Sequence, residues 1–552
     1  MRAISGDIVG LGSKSMKSPV STTGLPLRVR LLSTTALAVA GAVWMASAGP
    51  AQAVPGGSCV TTTPGGVTTV TCSGFTNDQV YAADDNTVVT LNADATVGYE
   101  YDPAILLGGN RASLTLNEDS TVYSLGGEFA VVAYGDRNTI VLNDGATIEN
   151  TNTLYGDRNY AAVGIYADTN AALTLNGGSH IIMNGGTDNS DYDGVNFDGV
   201  YMIGGTMAVT LNGASSVTVS GIGTAGTNTY TGIYLESYAQ TAAGRSSITL
   251  NGTSRVDVIG SASTDGNDLV GIQAGAMPNS FAPTVELNGG SSVNITGQGY
   301  TSSNKYEGIF SAGTDARVTL NSGSSINITG DGNLTNKYLG AFVYGIGDGA
   351  GTVAGSVTLN GGSSINVTGG YDASDAQMAG IFAKGYQGGI NVALNGGSQI
   401  VMTSNGDASV LLGIETFGTG SVTELNGASN ITIDANASGG TSNKYIGIAA
   451  FELAEYANQI GRITLNAGSS VVVQGNSSTS TKYVGIVSFG FYGSEKYTSD
   501  VTLNDSYVSV LGGSGSDNKY GGITVFGSGA TVTLNGASRV FVDAYYGSEG
   551  AV

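Results

Sequence analysis

Short runs of alternating apolar and polar residues recur from residue 88 onward. In Val318-Thr319-Leu320-Asn321 the valine and leucine share one face and the threonine takes the other, the two-residue period of a half-buried strand. Val357-Thr358-Leu359-Asn360 repeats the phrase. A second run follows a glycine-containing turn, as in Ser325-Ile326-Asn327-Ile328-Thr329-Gly330, with Ile326 and Ile328 expected inward. A third run follows a polar insert and reads Tyr306-Glu307-Gly308-Ile309-Phe310. The Leu-Asn pair marks the register from Asn92 and Asn117 through to Asn504 and Asn535, at intervals of 25 to 40 residues. A fixed motif at a variable interval means one structural unit with a loop of changing length.

Three short strands per unit predict an all-β fold, a right-handed parallel β-helix (a β-solenoid) of about 14 three-stranded coils. One coil cannot bury its own apolar side chains, whereas stacked coils place Val on Val and Leu on Leu. At about 4.8 Å per step the stack would span roughly 65–70 Å. The recurring asparagine ends the first strand of each unit, where its amide can bond to the asparagines above and below as a ladder. The glycines after it permit a tight turn.

The third strand carries the main candidate site. Two residues after Ile233, Ile309 or Ile486 stand Leu235, Ser311 and Ser488, none charged, so this parity is expected inward. The opposite parity holds Glu236, Lys384 and Glu415, and with them Phe310, Phe342, Phe382, Phe417, Phe451, Phe489 and Phe526 from successive coils. The glycine ahead of the isoleucine reads as a bulge, because Glu307 would otherwise point inward. An outward aromatic stripe is a candidate binding face for sugars or for a second copy. The alternative is a stripe covered by the inserts. Lys305-Tyr306, Lys337-Tyr338, Lys444-Tyr445, Lys482-Tyr483 and Lys519-Tyr520 enter the same strand. Their tyrosines can stack, and their lysines read either as a basic column for an anionic glycan or as a solvated edge that blunts aggregation.

Catalytic signals are sparse. His180 is the one histidine and lies beside the Gly177-Gly178 turn, and no G-x-S-x-G elbow occurs. Asp188, Asp191 and Asp193 cluster in one insert, where carboxylates can bind calcium, supply a carboxylate pair for glycan cleavage, or simply occupy a loop. The expectation is no enzyme, no catalytic residue, no metal site and no cofactor.

Charge and composition narrow the partners. Charged residues make up 11% against 41% hydrophobic, the reverse of a disordered chain. The net charge of −22 makes nucleic acid a poor partner. At the N-terminus Arg28 and Arg30 precede an apolar run from Leu31 to Ala46, followed by the A-x-A sequence Ala51-Gln52-Ala53. This reads as an extended, cleaved signal over 1–53, starting at Met1 or Met16, and so as an exported protein. Cys59 and Cys72 flank a Thr/Val-rich hairpin around Pro64-Gly65-Gly66 and are expected to form a disulfide after export. Residues 54–87 would form this stapled cap and 88–552 the repeats.

The signal, the cysteine pair and units such as Val357-Thr358-Leu359-Asn360-Gly361-Gly362-Ser363-Ser364-Ile365-Asn366-Val367-Thr368-Gly369 resemble the autotransporter passengers of Gram-negative bacteria, closest to the self-associating and adhesive type, over 54–552. The resemblance implies display on the cell surface or outer membrane, attachment to another copy or to a host or matrix glycan or protein, and biofilm formation. It also implies a β-barrel translocator. The chain ends at Gly550-Ala551-Val552 with no barrel strands, so that partner is expected in another chain or in a missing part of the gene. A polysaccharide-binding or polysaccharide-cleaving β-helix and a passive spacer are the competing readings.

Overall fold

The computed structural model describes residues 59–544 except 101–102, 152–158, 186–194, 222–227, 261–265, 298–303, 331–335, 348–351, 370–376, 405–409, 436–442, 454–460, 477–479, 492–498, 514–516 and 528. All of them fall within the second of two units, Ala51–Val552. The signal region, including Ala51 and Ala53, lies outside the described residues.

The protein is an all-β parallel solenoid. Each strand pairs in parallel with its counterpart one unit later. Ala316–Leu320 pairs with Val353–Asn360, Ser325–Gly330 with Ser364–Gly369, and Lys305–Thr314 with Lys337–Ile346. The second strands form one 15-stranded sheet, and the first and third together a 28-stranded sheet. The last two can merge because some strands run from one face into the next, as Asn159–Leu175 and Asn196–Leu211 do. One continuous cluster of buried side chains runs from Val70 to Tyr520.

The start of the stack and the number of units differ from the sequence expectation. The stack begins before residue 88: Thr69–Cys72 already pairs in parallel with Val88–Leu91, and Phe75–Thr76 with Thr96–Tyr99. The cause is Cys72, which is fully buried in register with Leu91 and so fills the leucine place of the motif. The count of 14 from the Leu-Asn phrase therefore misses a unit, and the second sheet has 15 strands. Among the described strands only Cys59–Thr62 runs antiparallel, opposite Thr69–Cys72, and Cys59 is disulfide-bonded to Cys72, its direct partner in the pair.

An unbroken ladder of asparagines spans the first face. From Asn176 to Asn535 each side-chain amide donates to the carbonyl oxygen of the asparagine one unit earlier. The bond from Asn360 to Asn321 is 2.8 Å and that from Asn395 to Asn360 is 2.9 Å. A second ladder, absent from the sequence expectations, is buried ahead of the third strand. There the backbone N–H groups of Asn228, Asn267 and Asn304 donate to the side chains of Asn267, Asn304 and Asn336 at 2.8–3.0 Å.

Candidate functional site

The third strand changes parity at its glycine. Tyr306 belongs to the core, and after the bend Ile309 does too. Glu307 pairs with Leu339 and Ile309 with Ala341, while Gly308 and Gly340 drop out of the register between them. A Cβ at Gly308 would collide with the side chain of Ile326 across the core, so the bend requires glycine. Glu307 faces away from that core, yet it is only 2% exposed, and Lys305 Nζ lies 2.8 Å from its Oε1. Burial raises the Glu307 carboxyl, against the opposing pull of Lys305.

Beyond the bend the outward phenylalanines touch from unit to unit. Phe310, Phe342 and Phe382 stack edge to face, with centroids 5.1 Å apart at each step. From Phe417 through Phe451 and Phe489 to Phe526 the rings lie nearly parallel, at 4.9, 5.8 and 4.3 Å. The two groups occupy different columns. Phe382 pairs in register with Glu415, and Phe417 with Lys384, so the stripe steps two residues along the strand between them.

The stripe is outward but not bare. Phe310, Phe342, Phe382 and Phe526 are half-buried, whereas Phe417 is 5% exposed and Phe451 and Phe489 are 3% exposed. Parity predicts the direction of a side chain; it does not predict what lies over it. Glu415 is buried beside them, and desolvation pushes its carboxyl up to about 8. Lys384 lies 5.8 Å above the Tyr344 ring, and burial lowers it.

Sequence reasoning missed the upstream half of this surface. Tyr134, Tyr166, Tyr201 and Tyr234 form an earlier outward ladder, with centroids 5.2, 5.7 and 4.9 Å apart. With Phe129, Val132, Ala161 and Ile203 they make a second apolar cluster, separate from the core. The signal for it was present, since Tyr234 follows Gly232-Ile233 just as Phe310 follows Gly308-Ile309, and the pairs are linked through Ile272 and Gln273.

The lysine-tyrosine pairs divide in role. Tyr306, Tyr338, Tyr445, Tyr483 and Tyr520 are inward and buried. Tyr306 stacks on Tyr338 at 4.7 Å and Tyr483 on Tyr520 at 5.4 Å. The lysines do not line a sheet edge: Lys482–Phe491 has Lys444–Leu453 on one side and Lys519–Phe526 on the other.

His180 Nδ1 is 2.9 Å from Ser216 Oγ on the second sheet, and burial, then the nearby Arg255 charge, lower its pKa. Ser216 is 2% exposed, so a substrate has no approach to its hydroxyl. Asp188, Asp191 and Asp193 lie outside the described residues.

No protein-family model and no curated protein matches the chain. Among solved structures, a crystal structure of a mutant of the periplasmic alginate epimerase AlgG covers 85% of this chain and of its own, at 10% identity and a TM-score of 0.19. That neighbour is an enzyme, so the expectation that this chain is not one is withdrawn. A likeness at that level assigns neither its reaction nor its substrate to the present chain. What the structure itself establishes is a parallel β-solenoid with an aromatic seam on the outside of its third face.

Proposed function

We propose that the protein is an exported adhesin, displayed at the cell surface, that attaches cells to one another through its outer aromatic face. The observation that carries this reading is the seam itself. Aromatic side chains follow one another along the outside from Tyr134 to Tyr234 and from Phe310 to Phe526. A solenoid needs apolar residues inside, and nothing in its core requires rings outside. A partner that spreads many weak contacts over successive units gains firm attachment by multivalency.

The ring geometry favours a second copy over a sugar. Phe451 and Phe489 give both faces to the rings above and below, and Phe417 and Phe526 each give one. Sugars stack on ring faces, whereas another protein surface packs equally well against edges. The half-buried Phe310, Phe342 and Phe382, with Phe526 at the far end, are the part of the stripe open to such a contact. The surface anchor in this reading is a β-barrel translocator, as the resemblance implies.

The test is to display the chain on a non-aggregating Gram-negative host through a known barrel and time the settling of the culture. Rapid settling, blocked by soluble passenger, is expected. Cells that stay suspended would overturn the homotypic reading.

A further inference from the structure

The outward column three residues beyond the isoleucine reads Glu236, Gly275, Ala312, Tyr344 and Lys384, in direct register from one strand to the next. Ala312 is its midpoint. Two rungs before it stands a carboxylate and two rungs after it an ammonium. At the usual strand spacing Glu236 and Lys384 lie roughly 19 Å apart, too far to pair within one chain. One rung before Ala312 is Gly275, where a Cβ would meet nothing within 4 Å, and one rung after it is the half-buried Tyr344 ring. The column is therefore complementary to itself when reversed: gap against ring, and acid against base.

Both charges are held against aromatic residues. Glu236 Oε2 accepts a hydrogen bond from the Tyr234 hydroxyl at 2.8 Å, and Lys384 Nζ lies 5.8 Å above the Tyr344 ring. The column one residue beyond the isoleucine keeps the same centre, with Tyr234 and Gln273 before Phe310, and Phe342 and Phe382 after it.

A contact between two identical surfaces is isologous when a two-fold axis passes through it. An axis laid along the Lys305–Thr314 strand at Ala312 reverses the second stack and keeps the strand direction. Each rung before the axis then faces the equivalent rung after it on the other copy. Glu236 meets Lys384 of the second copy, and symmetry supplies the pair twice. Tyr344 enters the gap at Gly275 of the second copy, and the two Phe310 rings meet near the axis. Farther out, Tyr166 faces Phe451 and Tyr134 faces Phe489, so the upstream tyrosines lie over the downstream phenylalanines. Facing sheets pack about 10 Å apart, within reach of these side chains. A copy running in the same direction, about an axis along this column, would set Lys384 against Lys384 and Tyr344 against Tyr344.

We propose, resting on the homotypic reading above, that the second copy docks antiparallel and face to face about a two-fold axis at Ala312, with the Glu236–Lys384 pairs fixing its register. Stacks projecting from two facing cells already run in opposite directions. The rings supply the contact area and the charges reject other registers.

The test uses the whole chain displayed as above. Cells carrying Glu236→Lys and cells carrying Lys384→Glu are each expected to settle at least tenfold more slowly than wild type. Mixed in equal numbers they are expected to settle together, because each offers the countercharges that the other lacks. The double reversal on one chain is expected to settle by itself, and Gly275→Leu, which fills the gap without reversing a charge, to stay suspended. Protease resistance of the displayed chain shows that each variant is folded. If a single reversal does not reach the surface, the double reversal and Gly275→Leu decide the matter. Folded single reversals or Gly275→Leu that settle like the wild type, or a mixture or double reversal that stays suspended, would overturn the proposed register. Wild-type cells that stay suspended would overturn the homotypic reading beneath it, so the two failures are distinguishable.

Discussion

The ring of Phe382 packs 5.6 Å from that of Phe417, although the strand register pairs Phe382 with Glu415. The aromatic seam therefore crosses diagonally from one column to the next. Glu415 occupies the place a ring would have filled, in an apolar setting that explains its raised pKa.

Glu415 makes stability depend on pH. Its usual value is 4.5, and burial alone lifts it to about 8. Below 4.5 the carboxyl is protonated in both the folded and unfolded chains. Between 4.5 and 8 only the unfolded chain loses the proton, so stability falls as pH rises across that window. Glu415→Gln is expected to match the wild type near pH 4 and to be more stable at pH 8. Each tenfold difference in proton affinity between the folded and unfolded chains is worth about 1.4 kcal/mol, which bounds the gain. Denaturant midpoints across that range check it, and a constant difference between the two proteins would contradict it.

Glycines separate into those the fold needs and those it tolerates. A Cβ at Gly330 would meet the Tyr338 ring, while one at Gly275 would meet nothing within 4 Å. Gly330→Ala is expected to cost about 1–3 kcal/mol. Gly275→Ala is expected to change stability by less than about 0.5 kcal/mol or to raise it slightly. Thermal melts of the two variants side by side give the answer.

The asparagine ladder should weaken most when cut in its middle. Asn360 donates to Asn321 and accepts from Asn395, whereas Asn535 is exposed and donates to Asn504. Asn360→Ala is expected to cost about 1–3 kcal/mol, since it strands a neighbour's amide as well as losing its own bond. Asn535→Ala should cost well under half of that. Hydrogen exchange around residues 321 and 395 would localise the damage.

The solenoid was legible because its signals are local. The alternation in Val318-Thr319-Leu320-Asn321 fixes which side chains enter the core, and the Leu-Asn pair carries the register. The bulge at Gly308 could be inferred from the charge on Glu307. Cys72 hid one unit because a cysteine there does not read as the leucine it replaces. Positions one and three residues beyond Ile309 or Ile414 share parity, so parity alone merges the Phe382 and Phe417 columns, which only the offset from the isoleucine separates. Nor could it reveal that Phe451 and Phe489 are buried, because that depends on contacts between units and not on the strand's own period.

The central claim is that the outer face, and not the fold alone, holds cells together. The most direct measurement is the settling rate of cells displaying Phe310→Ser, Phe342→Ser, Phe382→Ser protein against wild type at equal surface density. These rings are half-buried, outward and outside the core cluster, so the solenoid should persist. The account predicts that the triple variant reaches the surface, resists protease as the wild type does, and leaves the culture suspended. Wild-type settling by that variant would contradict it.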